Sequence, residues 1–244
     1  MGDKSAIEWT DATWNPSTGC TKVSPGCQNC YAERLSQRLQ KMRNPKFKNA
    51  FNFTIHQDAL ELPLKWKSPK KIFVNSMSDL FHEDMDSSFL HKCFEIMEKA
   101  NWHTYQILTK RPERMLSFTS EYGHLPSHIW VGTSVEMELY KQRIDILRKV
   151  DAEVRFISFE PLVGPVGKLD MSGISWAIAG GESGPKARKV EADWVREIRD
   201  QSLEQNVAFF FKQWGGKTSK SNGRVLDERL WSEFPKLSNM SSPI

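Results

Sequence analysis

Lys71-Ile72-Phe73-Val74-Asn75-Ser76, an apolar-periodic stretch over 87–100, then His103-Thr104-Tyr105-Gln106-Ile107-Leu108-Thr109: this succession decides the fold. The two short runs are rich in β-branched and aromatic residues, as buried strands are. Between them Leu90, Phe94 and Met97 recur at the spacing of one helix face. Cys93, inside that face, reads as a small core residue. The alternation continues through a Pro112-led helix to about 121, a strand over 129–135 and a helix over 137–150. Strands over 153–159 and 174–180, a helix over 193–206 and a strand over 207–212 complete it. Such βαβ succession indicates a parallel sheet.

Upstream, Thr13-Trp14-Asn15-Pro16 reads as a short first strand, and 31–42, carrying Leu35 and Leu39, as a helix. With that strand placed first, the pattern predicts an α/β fold, a partial or nearly complete (β/α) barrel of seven parallel strands. In such folds the chemistry gathers at the strand C-termini. The expected organisation is one barrel domain over 1–214, with a loop and C-terminal tail, 215–244, packed on it. The 39% hydrophobic and 26% charged content is that of an ordinary globular chain. No apolar run approaches the ~20 residues of a membrane span. The first residues form no hydrophobic signal core, so a reducing cytoplasmic setting is expected. A net charge of +4 permits a nucleic-acid or nucleotide partner without establishing one.

The barrel's first loop carries Gly19-Cys20-Thr21-Lys22-Val23-Ser24-Pro25-Gly26-Cys27-Gln28-Asn29-Cys30-Tyr31, three of the chain's four cysteines in a C-x6-C-x2-C pattern. The odd number and the low overall cysteine density argue against disulfides. Zinc, completed by His56, His82 or His103, is one reading. Three thiolates with a vacant fourth position suit a [4Fe–4S] cluster better, its unique iron free for an exogenous ligand.

Five successive strands end in polar residues on the cysteine side: Ser76-Met77-Ser78-Asp79, Thr109-Lys110-Arg111, Thr133-Ser134-Val135-Glu136, Ser158-Phe159-Glu160 and Gly180-Gly181-Glu182. One such ending is an ordinary loop start; five on one mouth point to a ligand site. Lys110 suits a carboxylate, and the Ser76, Ser78 and Ser134 hydroxyls suit an amino-acid or ribose moiety. Gly180 and Gly181 would let backbone approach a ligand. Glu160 and Glu182 are candidate proton carriers or substrate anchors, unless salt-bridged to Arg155 or Arg188.

These residues together resemble the radical S-adenosylmethionine superfamily. Gly19-Cys20 and Gly26-Cys27-Gln28-Asn29-Cys30-Tyr31-Ala32 look like the cysteine segment of its spore-photoproduct-lyase-like members. Asn15-Pro16, Ser76-Met77-Ser78-Asp79-Leu80-Phe81-His82, Leu108-Thr109-Lys110-Arg111-Pro112, Gly181-Glu182-Ser183-Gly184 and Phe210-Phe211-Lys212-Gln213-Trp214-Gly215 resemble, over nearly the full length, a phage-associated three-cysteine-motif family. The resemblance implies that Cys20, Cys27 and Cys30 hold a [4Fe–4S] cluster whose fourth iron binds S-adenosyl-L-methionine. It implies cosubstrate contacts from Ser78, Lys110 and Ser134; Tyr31 and Ser76 are read as further cosubstrate-binding residues, and Glu160 and Glu182 as the catalytic candidates from their place at the strand ends. The usual first gap of three residues is six here, so the loop must bulge. Photoproduct lyases place a hydrogen-donating cysteine two residues before the first of those serines. Here that residue is Ser76, whose O–H bond is too strong to serve a carbon radical, so thymine-dimer repair by that route is not expected.

The expected activity is therefore a radical S-adenosylmethionine enzyme (isomerase, lyase or nucleobase-modifying), acting on a nucleobase in nucleic acid or on a nucleotide. Phage-type hypermodification of a DNA pyrimidine, in a host cytoplasm, fits that expectation. Trp14, Phe81 and Trp214 are candidate stacking partners for a base. An external one-electron reductant is implied, and room is left for a partner protein. The competing readings are a zinc-stabilised nucleic-acid-binding protein without catalysis and an iron–sulfur electron carrier or sensor. Neither requires Lys110 and the serines at one mouth.

Overall fold

The computed structural model describes residues 4–236; the first three residues and the end of the expected tail, 237–244, lie outside them. The strands are β1 (Ala12–Trp14), β2 (Ser17–Thr18), β3 (Thr54–Ile55), β4 (Lys71–Val74), β5 (Thr104–Thr109), β6 (Ile129–Ser134), β7 (Arg155–Phe159), β8 (Trp176–Gly180), β9 (Ala208–Gln213), β10 (Val225–Leu226) and β11 (Arg229–Leu230). The helices are α1 (Tyr31–Lys41), α2 (Leu62–Lys65), α3 (Ser87–Lys99), α4 (Pro112–Tyr122), α5 (Gln142–Leu147) and α6 (Ala192–Glu204). Seven strands form one parallel sheet in the order β1-β4-β5-β6-β7-β8-β9, so spatial order follows chain order. The expected seven-stranded partial barrel is the observed architecture. Two antiparallel ladders, β2–β3 and β10–β11, stand outside it.

Side-chain parity divides the core. Ile72, Val74, Tyr105, Ile107, Ile129, Val131, Ile157, Ala177, Phe209 and Phe211 pack outward with the helices in one cluster. Phe73, Trp130, Phe156, Trp176, Ile178 and Phe210 pack inward around Trp9 in another. Trp9 lies 4.7 Å from Phe73 of β4 and 6.0 Å from Trp176 of β8, measured between ring centroids. Flat, those strands would stand about 19 Å apart, four spacings of ~4.8 Å. The sheet is therefore curled around the Trp9 indole, which plugs the base of the half-barrel.

The covering helices follow from local chemistry. Asp86 caps α3 by accepting from the Phe89 N–H at 2.9 Å, and Leu90, Phe94 and Met97 are buried beneath it. Cys93 is fully buried in that face, as its core reading requires. Pro112 opens α4, and Gly123, at φ 99°, ends it.

One expected helix is shorter than its pattern. Instead of 137–150, the chain forms a 3₁₀ turn at Glu138–Tyr140 and then α5. Met137 is extended (φ −169°, ψ 171°), with Glu136 C=O accepting from Val163 N–H at 2.9 Å and Glu138 N–H donating to Pro165 at 2.9 Å. These bonds to the 161–165 loop carry the chain past the β6 end before it can coil. The β2–β3 pairing, Ser17 to Ile55 and Thr18 to Thr54, had no periodic signal in its two-residue strands.

Candidate functional site

At the C-terminal ends of the seven strands lies a cavity of about 390 Å³. All ten residues singled out as candidates line it: Cys20, Cys27, Cys30, Tyr31, Ser76, Ser78, Lys110, Ser134, Glu160 and Glu182. Parity explains much of this. Residues 130, 156, 176 and 210 point inward, and by the same two-residue period so do Ser134, Ser158 with Glu160, and Lys212.

The cysteine loop is held by the strand ends it covers. Cys27 closes a 3₁₀ turn, Pro25–Cys27, and Cys30 precedes α1. The residues in the long first gap are bonded rather than slack. Thr21 Oγ1 donates to Glu83 at 2.9 Å and accepts from Arg111 at 2.6 Å, while Ser24 Oγ donates to Glu136 Oε1 at 2.5 Å. Gly26 packs so tightly on Glu136 that a Cβ there would stand 2.5 Å from its Cγ. Arg111 donates to the Cys20 sulfur at 3.5 Å and to Asp79 at 3.2 Å. Burial and the nearby Asp79 charge push the Cys20 thiol up to about 11, against the pull of Arg111. Burial also raises Cys30, opposed by the Glu33 and Ala32 backbone N–H groups at the α1 start.

Each other candidate has a defined partner. The Tyr31 hydroxyl donates to the Ser76 carbonyl. Ser76 Oγ donates to Asn15 at 3.2 Å, and Ser78 Oγ donates to the Gly19 carbonyl at 2.7 Å. Lys110 Nζ lies 3.4 Å from Glu136, a fully buried carboxylate that Arg143 also grips at 3.0 Å. The Ser134 carbonyl accepts from Arg143 at 2.9 Å. Glu160 pairs with Lys212 at 3.0 Å and accepts from Ser158 at 3.2 Å; Arg155, its suspected partner, bonds the Val150 carbonyl instead. Glu182 pairs with Arg188 at 2.6 Å and accepts from Asn29 at 2.9 Å, which joins the β8 end to the cysteine loop. Burial works to raise the Glu182 carboxyl, but the Arg188 side chain, its backbone N–H and Asn29 together hold it below the ordinary glutamate value.

Several expectations need correction. Gly180 makes room for protein, since a Cβ there would stand 2.5 Å from Glu160 Oε1; Gly181 lines the cavity, but a Cβ on it would stand 2.1 Å from the Trp214 carbonyl oxygen. Trp14 and Phe81 are fully buried, and Trp14 donates to the Ala59 carbonyl, so neither can stack on a base. Trp214, half-buried, lines a second, smaller cavity. His56 bonds Thr18, His82 bonds Thr21 and stacks on Phe53, and His103 faces the Pro63 carbonyl. None of the three lines the cavity, so none completes a Cys3His zinc site. Glu136, Asp79, Arg111 and Lys212 were not singled out. Their signal was present, since each belongs to a polar strand end or follows an inward-facing residue by the strand period.

Among the described residues no three His, Cys, Asp or Glu side chains are gathered closely enough to hold a single metal ion. A [4Fe–4S] cluster takes one thiolate at each of three corners, a wider set than a single ion requires. Three thiols bordering one roomy cavity beside Lys110 and Arg111 fit that demand.

The family model described as "Protein of unknown function (DUF5131)" matches residues 4–235. No curated protein matches the chain. Among solved structures, a spore photoproduct lyase variant with bound AdoMet and dinucleoside spore photoproduct is similar at 12% identity and TM-score 0.45, over 79% of this chain and 61% of that one. A second spore photoproduct lyase variant gives 12% identity and TM-score 0.49, over 84% of this chain and 64% of that one. The chain thus spans about three fifths of the length of these structures.

Proposed function

The chain belongs to the DUF5131 family, whose description leaves the activity open, and we propose that it is a radical S-adenosylmethionine enzyme acting on a nucleobase. The observation that carries this reading is the meeting of the Cys20, Cys27 and Cys30 thiols with Ser78, Lys110 and Ser134 at one barrel mouth. The chemistry that a bound, reduced cluster and S-adenosylmethionine would supply here is a 5′-deoxyadenosyl radical for hydrogen abstraction.

The chain's own share is positioning. Cys20, Cys27 and Cys30 would hold the cluster, and Arg111 would balance charge at the Cys20 sulfur. Lys110 would exchange part of its pairing with Glu136 for the cosubstrate carboxylate, and the Ser78 and Ser134 oxygens would receive its amine or ribose hydroxyls. Tyr31, with its ring at the cavity edge and its hydroxyl on Ser76, would wall the cosubstrate on the α1 side. Glu160, which already handles the Lys212 ammonium, would hold a substrate amine or hydroxyl so that one C–H bond faces the radical. Glu182, 4% exposed and with both oxygens taken by Arg188 and Asn29, would fix the β8 end against the cysteine loop and so act by positioning. Trp9, Phe73 and Leu108 close the inner end against water. Phage-type rearrangement or modification of a DNA pyrimidine is the reaction class that this reading favours, with an external one-electron reductant.

The test is anaerobic reconstitution followed by iron analysis and electron paramagnetic resonance. The expected result is about four irons per chain and a reduced-cluster signal that changes when S-adenosylmethionine is added. Stoichiometric zinc without iron would overturn the reading.

A further inference from the structure

The positive charge of this chain is concentrated beside the cavity. Residues 19–53, which span the cysteine loop, α1 and the turns after it, hold seven Lys and Arg against one acid, Glu33. Their net charge of +6 exceeds the +4 of the whole chain, so the other 209 residues, with 27 bases and 29 acids, are net negative. Glu33 itself is taken by Lys22 at 2.9 Å. Arg38, Lys41, Arg43 and Lys48 are exposed, and their side chains have no ion-pair or hydrogen-bond partner among the described residues. An ordinary solvated face mixes both signs. This one does not.

Arg34 joins that face to the cavity mouth. Its Nη2 donates to the Ser183 carbonyl at 2.7 Å, and a Cβ on Gly184 would stand 2.1 Å from the same nitrogen. Gly184 N–H donates to the Gly216 carbonyl at 2.8 Å, so the rim runs on into the turn over 216–223. Lys186, Lys217 and Lys220 on this stretch are again exposed and without an ion-pair partner among the described residues. A second cavity of about 330 Å³ opens here, lined by Arg188, Lys189 and Trp214, with Arg188 paired to Glu182 at 2.6 Å and Lys189 to Glu191 at 3.2 Å. Basic residues and an aromatic along one groove are the combination found where a nucleic-acid strand is tracked.

We propose that the phosphodiester backbone of a nucleic-acid strand lies along this rim, from α1 across 183–189 to the 216–223 turn, so that one base enters the cavity. The inference rests on the nucleobase reading above and deepens it, by assigning the surface that would hold the strand carrying that base. Seven exposed cations without an ion-pair partner among the described residues, spread over three segments that border the mouth, match a polymer whose charges repeat along its length better than a compact acidic surface.

The test uses the cluster-loaded protein and a fluorescein-labelled 20-nucleotide single strand, titrated by anisotropy between about 50 and 200 mM salt. Each phosphate neutralised contributes about −0.7 to the slope of log affinity against log salt. The fourfold variant Arg38→Gln, Lys41→Gln, Arg43→Gln, Lys48→Gln removes up to four such contacts. Its slope should be shallower by as much as about 3, with affinity at the lowest salt down at least tenfold. The triple variant Lys186→Gln, Lys217→Gln, Lys220→Gln, on other elements, should do the same to a smaller degree. Unchanged slope and affinity in both variants would overturn the proposal. Polyglutamate competing as well as an oligonucleotide of equal charge would also overturn it, by assigning the rim to an acidic protein. Protein that cleaves S-adenosylmethionine but shows no salt-dependent strand binding sinks the rim and leaves the cluster reading standing. Strand binding by protein that never acquires iron does the reverse.

Discussion

Glu136→Gln tests whether one buried carboxylate holds the cysteine loop on β6. The residue has no solvent exposure, and three groups converge on it: Arg143 at 3.0 Å, Lys110 at 3.4 Å and the Ser24 hydroxyl at 2.5 Å. Removing one member of a buried ion pair costs about 3–5 kcal/mol, because the remaining charge stays buried without its partner. Here the lower end applies. Arg143 keeps the Ser134 carbonyl at 2.9 Å and the Tyr140 ring at 4.4 Å, and the Lys110 side chain, 20% exposed, can turn to water. A loss of about 3 kcal/mol in a domain of this size corresponds to roughly 6–12 °C in melting temperature. Urea denaturation should show the midpoint falling at unchanged slope. In cluster-free protein, iodoacetamide should also label Cys27 faster, since Ser24 and Gly26 lose their anchor. A shift below about 2 °C with unaltered labelling would show that the loop is held without Glu136, by Arg111, Asn29, the Thr21–Glu83 bond and Arg188 on the Pro25 carbonyl.

Further outcomes follow from the same geometry. Glu182 is held below its ordinary 4.5, so its stabilisation is present at neutral pH and lost as pH falls below 4.5 through the native value. Glu182→Gln should therefore melt lower than the parent at pH 7, with the gap closing in acid; a constant gap would show that charge is not involved. Glu160→Gln should keep the cluster and 5′-deoxyadenosine release while losing substrate conversion; loss of all three would remove its substrate role. Burial, then Lys46, lowers His56 from 6.5 to about 4, so protonation opposes folding and stability falls as pH drops through that window. His56→Gln should flatten the melting profile between those pH values, and a profile as steep as the parent's would contradict the assignment. Cys93→Ala should keep the brown colour that each single Ala change at Cys20, Cys27 or Cys30 abolishes.

Much of the site was legible because it follows from strand period. Once 129–135 reads as a strand after 103–109, every inward position is determined, and Lys110, Ser134 and Glu160 fall at the same mouth. Tyr31 and the cysteines follow from the short reach of the loop after β1. What was not legible lay in pairings between elements remote in sequence. Nothing near Glu136 indicates that Ser24, 112 residues away, closes on it, or that Lys212 rather than Arg155 meets Glu160. The helix over 137–150 failed for the same reason: its apolar period was real, but bonds to Val163 and Glu138's tie to Pro165 held its first turn extended. Trp14 and Phe81 misled because aromatic content carries no address. Only the packing of Trp14 behind β4 and β5 shows that its ring is spent in the core.

Product analysis decides whether this chain performs radical S-adenosylmethionine chemistry. Reconstituted protein is reduced with dithionite in the presence of S-adenosylmethionine, with no nucleic acid added, and the mixture is examined for 5′-deoxyadenosine and methionine. The account predicts both products, formed slowly in equal amounts, and neither from the Cys27→Ala protein. Protein that holds its full iron complement and binds S-adenosylmethionine, yet yields no 5′-deoxyadenosine on reduction, would contradict it.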